Sequence, residues 1–365
     1  LKFGVSATNH SFGVGRLTGG TNDGTVNFNS DISYEGNEFG AYISDEHTVN
    51  SRLSLNYGLR ISAFQNDSSF FTGLEPRLSA SYNLTESLTL KGSYTRMFQY
   101  VHLVTNSGAS LPTDVWYPSN GVVKPQQSNQ VAVGMSKLFG DKKFLLTNEV
   151  YYKWMHRQID FRDGAQLFLN PNLDEEFVFG EGYSYGNEIY VEKQTGKTTG
   201  WLGYTLSWTN RKFPDINNGK VFPTRYDRRH DITAVVMHQL NKRISLTSSW
   251  VYGTGSAYSV AQGKMILQDI PYANIEYVPL YPQERNNYKM AAYHRLDLGM
   301  VYKLEPKRGE SDLTFSIYNV YNRRNPYFIY IDAIRNADKT KTVGFRTKQV
   351  SLFPIIPSVT YNFKF

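Results

Sequence analysis

The densest run of chemically capable side chains in the 365-residue sequence is Asp227-Arg228-Arg229-His230-Asp231, which sets an imidazole between carboxylates. Such a trio is raw material for general acid–base work. The surrounding residues alternate apolar and polar, however, and on a strand His230 points opposite to Asp227, Arg229 and Asp231. No G-x-S-x-G nucleophile turn accompanies the run. The seven histidines (His10, His47, His102, His156, His230, His238 and His294) form no H-x-x-x-H or H-x-H pair, so no metal site is signalled. There is no cysteine, which excludes a disulfide scaffold, a thiolate metal site and thiol catalysis. Gly13-Val14-Gly15 lacks the strand–helix setting of a phosphate loop. Neither an enzyme nor a cofactor is expected.

The elements that position these residues are strands. In Leu53 to Ile61, Leu53, Leu55, Tyr57, Leu59 and Ile61 share one face, and Ser54, Asn56, Gly58 and Arg60 share the other. The same period recurs around Leu78, Leu88, Leu202 and Leu296. Aromatic residues make up 15% of the chain, yet mean hydropathy is only -0.45, because the aromatics sit singly among Ser, Thr, Asn and Gly. A transmembrane β-barrel needs this mixture, since every second residue faces lipid and its neighbours face a wet lumen. No apolar run approaches the ~18 residues of a spanning helix.

Strands are expected at 1–10, 33–46, 49–64, 74–84, 86–98, 126–138, 142–162, 183–195, 199–211, 226–240, 242–256, 290–304, 311–322 and 347–365. Every other connection is short. The rest, at 11–32, 65–73, 99–125, 163–182, 212–225, 257–289 and 323–346, are mostly long. Short turns on one rim and long loops on the other is the outer-membrane arrangement, with the short turns periplasmic and the long loops extracellular. The fold class is therefore all-β: a transmembrane antiparallel barrel with about 14 strands seen.

Projecting the alternation inward puts Arg60, Arg77, Lys91, Glu149, Lys153, Glu188, Glu192, Asp227, Arg229, Asp231, Arg295 and Asp297 on the lumen face, against a plug or along a transport path, or as a mutually paired wet wall. Tyr57, Tyr82, Tyr94, Tyr152, Trp154, Trp208 and Tyr302 fall on the lipid phase as interface girdles. The long loops are rich in aromatics: Trp116, Tyr117, Tyr272, Tyr277, Tyr281, Tyr288, Tyr327 and Tyr330. Aromatic side chains in such loops suit ligand capture, loop packing or lipopolysaccharide-level anchoring. The alternating Tyr361, Phe363 and Phe365 at the carboxy end look like the signal that outer-membrane assembly machinery reads. The net charge of +7 is spread singly, with no basic stripe, so nucleic acid is not an expected partner. Outer-membrane lipid and lipopolysaccharide are. The chain opens at Leu1 without a basic or apolar leader, which suggests a processed chain or part of a longer one.

Several short motifs carry a family resemblance: Glu75-Pro76-Arg77-Leu78-Ser79, Gln99-Tyr100-Val101-His102-Leu103, Pro112-Thr113-Asp114-Val115-Trp116 and Glu149-Val150-Tyr151-Tyr152-Lys153. Further on come Tyr226-Asp227-Arg228-Arg229-His230-Asp231, Tyr293-His294-Arg295-Leu296-Asp297 and Tyr318-Asn319-Val320-Tyr321-Asn322-Arg323-Arg324-Asn325-Pro326. In this order the chain resembles the carboxy-terminal part of the barrel of TonB-dependent outer-membrane receptors, especially the Bacteroidetes kind. The resemblance implies the last 14 strands of a 22-stranded barrel, one partial domain over 1–365, with the plug domain and first strands outside the chain. It further implies import of a scarce nutrient, a plug of the same protein, the TonB complex engaged through the missing amino-terminal part, and a surface lipoprotein or other outer-membrane partner. The alternatives are a structural barrel subunit of an outer-membrane assembly and a free-standing 14-stranded channel.

Overall fold

The structure is a computed structural model. It describes residues 1–20, 27–105, 114–165, 170, 172–260, 263–269, 274–280, 284–306, 309–338 and 342–365, with only the backbone described at 14–20, 27–32, 263–269 and 274–280. Fourteen strands pair antiparallel in chain order. They are β1 Lys2–Gly20, β2 Asn27–Thr48, β3 Leu53–Gln65, β4 Phe70–Asn83, β5 Leu88–Gln99, β6 Gln126–Phe139 and β7 Phe144–Phe161, then β8 Phe177–Lys193, β9 Thr198–Lys212, β10 His230–Gln239, β11 Ile244–Gly253, β12 Tyr293–Leu304, β13 Glu310–Tyr318 and β14 Ile356–Lys364. Among the described residues each pairs only with its neighbours in this order, apart from a two-residue strand, Phe222–Pro223, beside β9. β1 and β14 do not pair with each other, so the sheet is open along both.

Alternation separates two faces. Val133 is 64% exposed, Val359 66% and Ile61 53%, whereas Ser62 and Glu75 on the other face are almost fully covered. An apolar outside with a polar inside inverts a water-soluble fold and is stable against hydrocarbon. Three of the short turns are built alike. The backbone N–H of Val49, Leu84 and Leu240 donates to Leu53, Leu88 and Ile244 respectively, at 2.9, 2.9 and 3.0 Å. In each turn the next side chain (Asn50, Thr85 or Asn241) accepts two backbone amides, which satisfies the donors that the reversal frees. Buried apolar clusters lie at the opposite rim, among the long connections: Val104, Tyr117, Val123, Ile159, Phe161, Leu173 and Phe177 form one. Phe213, Ile216 and Phe222 form a second, and Tyr258, Met290 and Ile329 a third.

Four boundaries differ from expectation. Within the stretch 11–32, expected as a loop, residues 11–20 and 27–32 continue the flanking strands, with β1 and β2 paired as far as Gly20 and Asn27. Strand β8 begins at Phe177 rather than 183, because its upper part pairs with the end of β7. Strand β10 begins at His230, so Asp227, Arg228 and Arg229 precede it. Residues 347–351, expected at the head of the last strand, belong instead to Thr342–Ser351, which pairs with Pro326–Arg335 as a hairpin within the connection expected as loop, and β14 begins at Ile356. The long connections also hold a hairpin of Val101–Val104 with Val115–Pro118 and another of Gly263–Asp269 with Asn274–Leu280.

Candidate functional site

The register aligns the polar side chains into rows that run across many strands. One row passes through Gly58, Arg77, Thr95, Gln130, Lys153, Ser184 and Thr209. A second, nearer the short turns, passes through Ser81, Lys91, Gly134, Glu149, Glu188, Thr205 and Asp231. The first is cationic and the second largely acidic. Gly134 sits between Lys91 and Glu149, where a Cβ would come within 2.6 Å of the Asn148 carbonyl oxygen. Lys91 and Glu149 line one concavity of about 270 Å³, with Glu46 and Ser93. A larger concavity of about 620 Å³ is lined by Tyr42, Asn56, Arg60, Arg77, Ser79 and Ser93 among others.

Arg60 is the centre of an ion ladder over β2, β3 and β4. Its guanidinium lies 3.4 Å from Glu38 and 3.5 Å from Glu75, and Arg77 reaches Glu75 at 3.6 Å. Ser62 donates to Glu75 at 2.7 Å and shares a 2.8 Å hydrogen bond with the Tyr100 hydroxyl. At the far side of the sheet, Arg295 donates to Asp297 at 2.8 Å and to the Tyr293 and Tyr318 hydroxyls, and lies 4.1 Å over the Tyr318 ring. Glu192 stands opposite Trp201 and joins neither row.

The run 227–231 divides. Asp227 is buried and holds Lys289 at 2.7 Å, Arg229 at 3.4 Å and the Thr209 backbone amide at 2.9 Å. Arg229 does not share the face of Asp231. Its guanidinium lies 4.3 Å over the ring of Trp208, a residue in the apolar register, because the chain leaves strand geometry before His230. His230 bonds the Tyr204 hydroxyl at 2.9 Å on that same apolar side. The imidazole thus has no carboxylate beside it.

The loop aromatics also divide. Trp116 is half exposed, as are Tyr288 and Tyr327. Tyr117 is only 3% exposed, with its ring 4.7 Å from Tyr34 and 4.9 Å from Phe177. Alternation in the hairpin turns Tyr117 inward with His102 and turns Trp116 outward with Leu103. Tyr117 is therefore a packing residue, and burial drives its hydroxyl pKa upward. Burial also lowers the His102 pKa, to about 4, while its ring shares a 2.9 Å hydrogen bond with the Ser119 hydroxyl. Tyr330 is half-buried. Tyr272 and Tyr281 lie outside the described residues, and Tyr277 is described in backbone alone. Tyr361 and Phe363 lie exposed along β14, and Phe365 closes the chain with its ring 4.9 Å from that of Phe363.

Residues 2–322 match the family described as TonB dependent receptor-like, beta-barrel. The chain belongs to this family of receptors. It is an outer-membrane β-barrel chain whose long loops are extracellular, and it is not an enzyme. No curated protein sequence matches it. Among solved structures, FpvA of P. aeruginosa bound to a heterologous ferric pyoverdine is similar at 13% identity and a TM-score of 0.59, over 93% of this chain and 39% of that one. The ferric-catecholate import receptor Fiu of E. coli K12 is similar at 17% identity and 0.58, over 93% and 46%. A mutant of the ferric enterobactin receptor PfeA of Pseudomonas aeruginosa is similar at 15% and 0.58, over 98% and 50%. At these identities the likeness is one of fold, and the chain spans at most half the length of those receptors.

Several charged residues at the receptor's rim lay outside the sequence reading. Glu75 could have been found, since it stands two positions from Arg77 on the same face. Asp160, Arg211, Arg285 and Lys289 could not, because their meeting depends on how the long loops fold back.

Proposed function

We propose that this chain forms the extracellular ligand platform and most of the conducting wall of an importer, which binds a scarce nutrient at its long loops and passes it through the lumen with TonB energy coupling. The observation that carries this reading is the pair of charged rows. A cationic row above an acidic one, both on the wet face, suits a wall that holds a plug domain of the same protein and gives polar groups a graded path past it. In this reading Arg60, Arg77, Lys91, Glu149, Lys153, Glu188, Asp231, Arg295 and Asp297 face plug and path, and Asp227 braces the rim. The free edges of β1 and β14 would be met by the remaining strands of a 22-stranded barrel, and the fact that they are not paired with each other speaks against a free-standing fourteen-strand channel. The apolar face would meet lipid and lipopolysaccharide, the TonB complex would act through the plug, and Tyr361, Phe363 and Phe365 would serve assembly.

The ligand class we favour is a ferric siderophore. The structural relatives named above carry such ligands or the receptor names that go with them. The test is uptake of iron-labelled catecholate and pyoverdine chelates by cells with and without the intact gene under iron limitation. Loss of uptake on deletion, restored by the gene, supports the reading. Unchanged uptake of every chelate, with collapse of a partner complex instead, would establish the scaffold alternative.

A further inference from the structure

We infer that Arg285 is a positioning residue that pins the connection between β11 and β12 to the rim, and so sets where that connection stands over the lumen; the consequence for ligand binding rests on the importer reading. The connection leaves β11 at Gly253 and returns to β12 at Tyr293. It carries the hairpin of Gly263–Asp269 with Asn274–Leu280, and closes on itself where Ala257 and Tyr258 pair with Lys289 and Tyr288. A connection of this length has little of its own to fix its direction.

Its return leg is fixed from outside at three carboxylates. Arg285 lies 3.6 Å from Asp160 at the end of β7 and 3.0 Å from Asp163, and donates to the Phe161 carbonyl at 2.7 Å. Asp160 is also 3.7 Å from Arg211 at the end of β9, so one buried carboxylate is gripped by guanidinium groups from two segments. Four residues on, Lys289 lies 2.7 Å from the buried Asp227. Asn286 donates to the Pro223 carbonyl at 2.8 Å. Three side chains of one short leg thus reach the end of β7, the two-residue strand Phe222–Pro223 beside β9 and the segment before β10.

Apolar side chains could fill this space at similar or better stability, because removing two charges from water offsets most of their attraction. Guanidinium forks add direction. The Arg285 fork places one nitrogen on the Phe161 carbonyl and its charge between Asp160 and Asp163, which restricts the angle as well as the distance between the leg and the end of β7. Tyr258 and Met290, at the base of the same connection, pack on Ile329 of the next extracellular hairpin. The position set at Arg285 therefore passes to a second loop.

The test is hydrogen exchange of the full-length protein in detergent or vesicles, followed segment by segment, with binding of a ferric chelate measured alongside. Arg285→Ala is expected to speed exchange across 254–290 by about tenfold while β3 to β6 stay as protected as before, and to weaken chelate binding. Arg285→Lys, which keeps charge but loses the fork, should fall between. Asp163→Ala should act weakly, since that carboxylate is largely exposed. Unchanged exchange at 254–290 in Arg285→Ala, full rescue by Arg285→Lys, or loosening of the whole sheet would each overturn the pin. If exchange rises as expected while even the unaltered protein binds no chelate, the pin stands and the importer reading falls.

Discussion

Arg60 and Glu75 stand directly opposite each other on β3 and β4, with a guanidinium nitrogen 3.5 Å from a carboxylate oxygen of a side chain that is 1% exposed. Glu75 takes a second bond from Ser62 and a weaker contact from Arg77. Arg60→Met should therefore leave a buried carboxylate with one distant cation, at a cost of about 2 kcal/mol, below the full penalty for a stranded buried charge because Arg77 remains. Glu75→Gln alone should cost less. The double variant should be more stable than the sum of the two by roughly 1 kcal/mol. Urea unfolding of the four proteins in one lipid closes the cycle, and strict additivity would mean that the pair is not coupled.

The two faces make opposite demands on a new charge. Val133 is on the apolar face and 64% exposed. Val133→Lys should destabilise the barrel by about 2–4 kcal/mol if that face meets the bilayer interior. Thr205 lies between Glu188 and Asp231 in the acidic row. Thr205→Lys should be neutral or slightly stabilising, since it places a cation between two carboxylates in a wet setting. Equal penalties for the two variants would contradict the assignment of the faces.

His102 makes the hairpin of Val101–Val104 with Val115–Pro118 acid-sensitive. Burial lowers its pKa from the ordinary 6.5 to about 4, so the folded hairpin favours the neutral ring. The stabilisation is complete above the unfolded pKa and falls as pH drops from about 6.5 towards 4, by roughly 3 kcal/mol at most. Protection of the 101–118 backbone should therefore be steady from pH 8 to 7 and decline below 6. In His102→Leu the decline should vanish. A hairpin that loosens equally in both proteins on acidification would trace the effect to another group.

The fourteen strands were legible in the sequence because period two is a local property: each residue's face depends only on its neighbour's. Loop parity was legible for the same reason. What escaped is non-local. Residues 11–20 and 27–32, in a stretch rich in Gly, Ser and Asn, read as loop, yet β1 and β2 pair there as far as Gly20 and Asn27. Residues 347–351 alternate as well as β14 does, and only the pairing of Thr342–Ser351 with Pro326–Arg335 assigns them elsewhere. Arg77, Lys153, Glu149 and Glu188 could be assigned to one face but not to their rows, since a row is a fact of register between strands. Arg285 carried no signal at all, because its partners lie more than 100 residues away and meet it only where the long connection folds back on β7.

The neighbours Trp116 and Tyr117 separate ligand contact from packing. Tyr117 is closed in by Tyr34 and Phe177, and its hydroxyl accepts a hydrogen bond from Asn120 at 3.1 Å. Tyr117→Ala empties a ring-sized space in a buried cluster, which typically costs about 3–5 kcal/mol locally. It should open 101–118 to proteolytic nicking at a concentration of protease that spares the unaltered protein. Trp116, half exposed and paired with the exposed Leu103, has no such role in the core. Trp116→Ala should leave the proteolysis pattern unchanged and, if this hairpin face receives the ligand, weaken chelate binding by about tenfold, the loss of one anchoring aromatic at an interface. Trp116→Phe should restore part of that affinity. Nicking of Trp116→Ala at the same site as Tyr117→Ala would show that both faces of the hairpin are structural and that the ligand is held elsewhere.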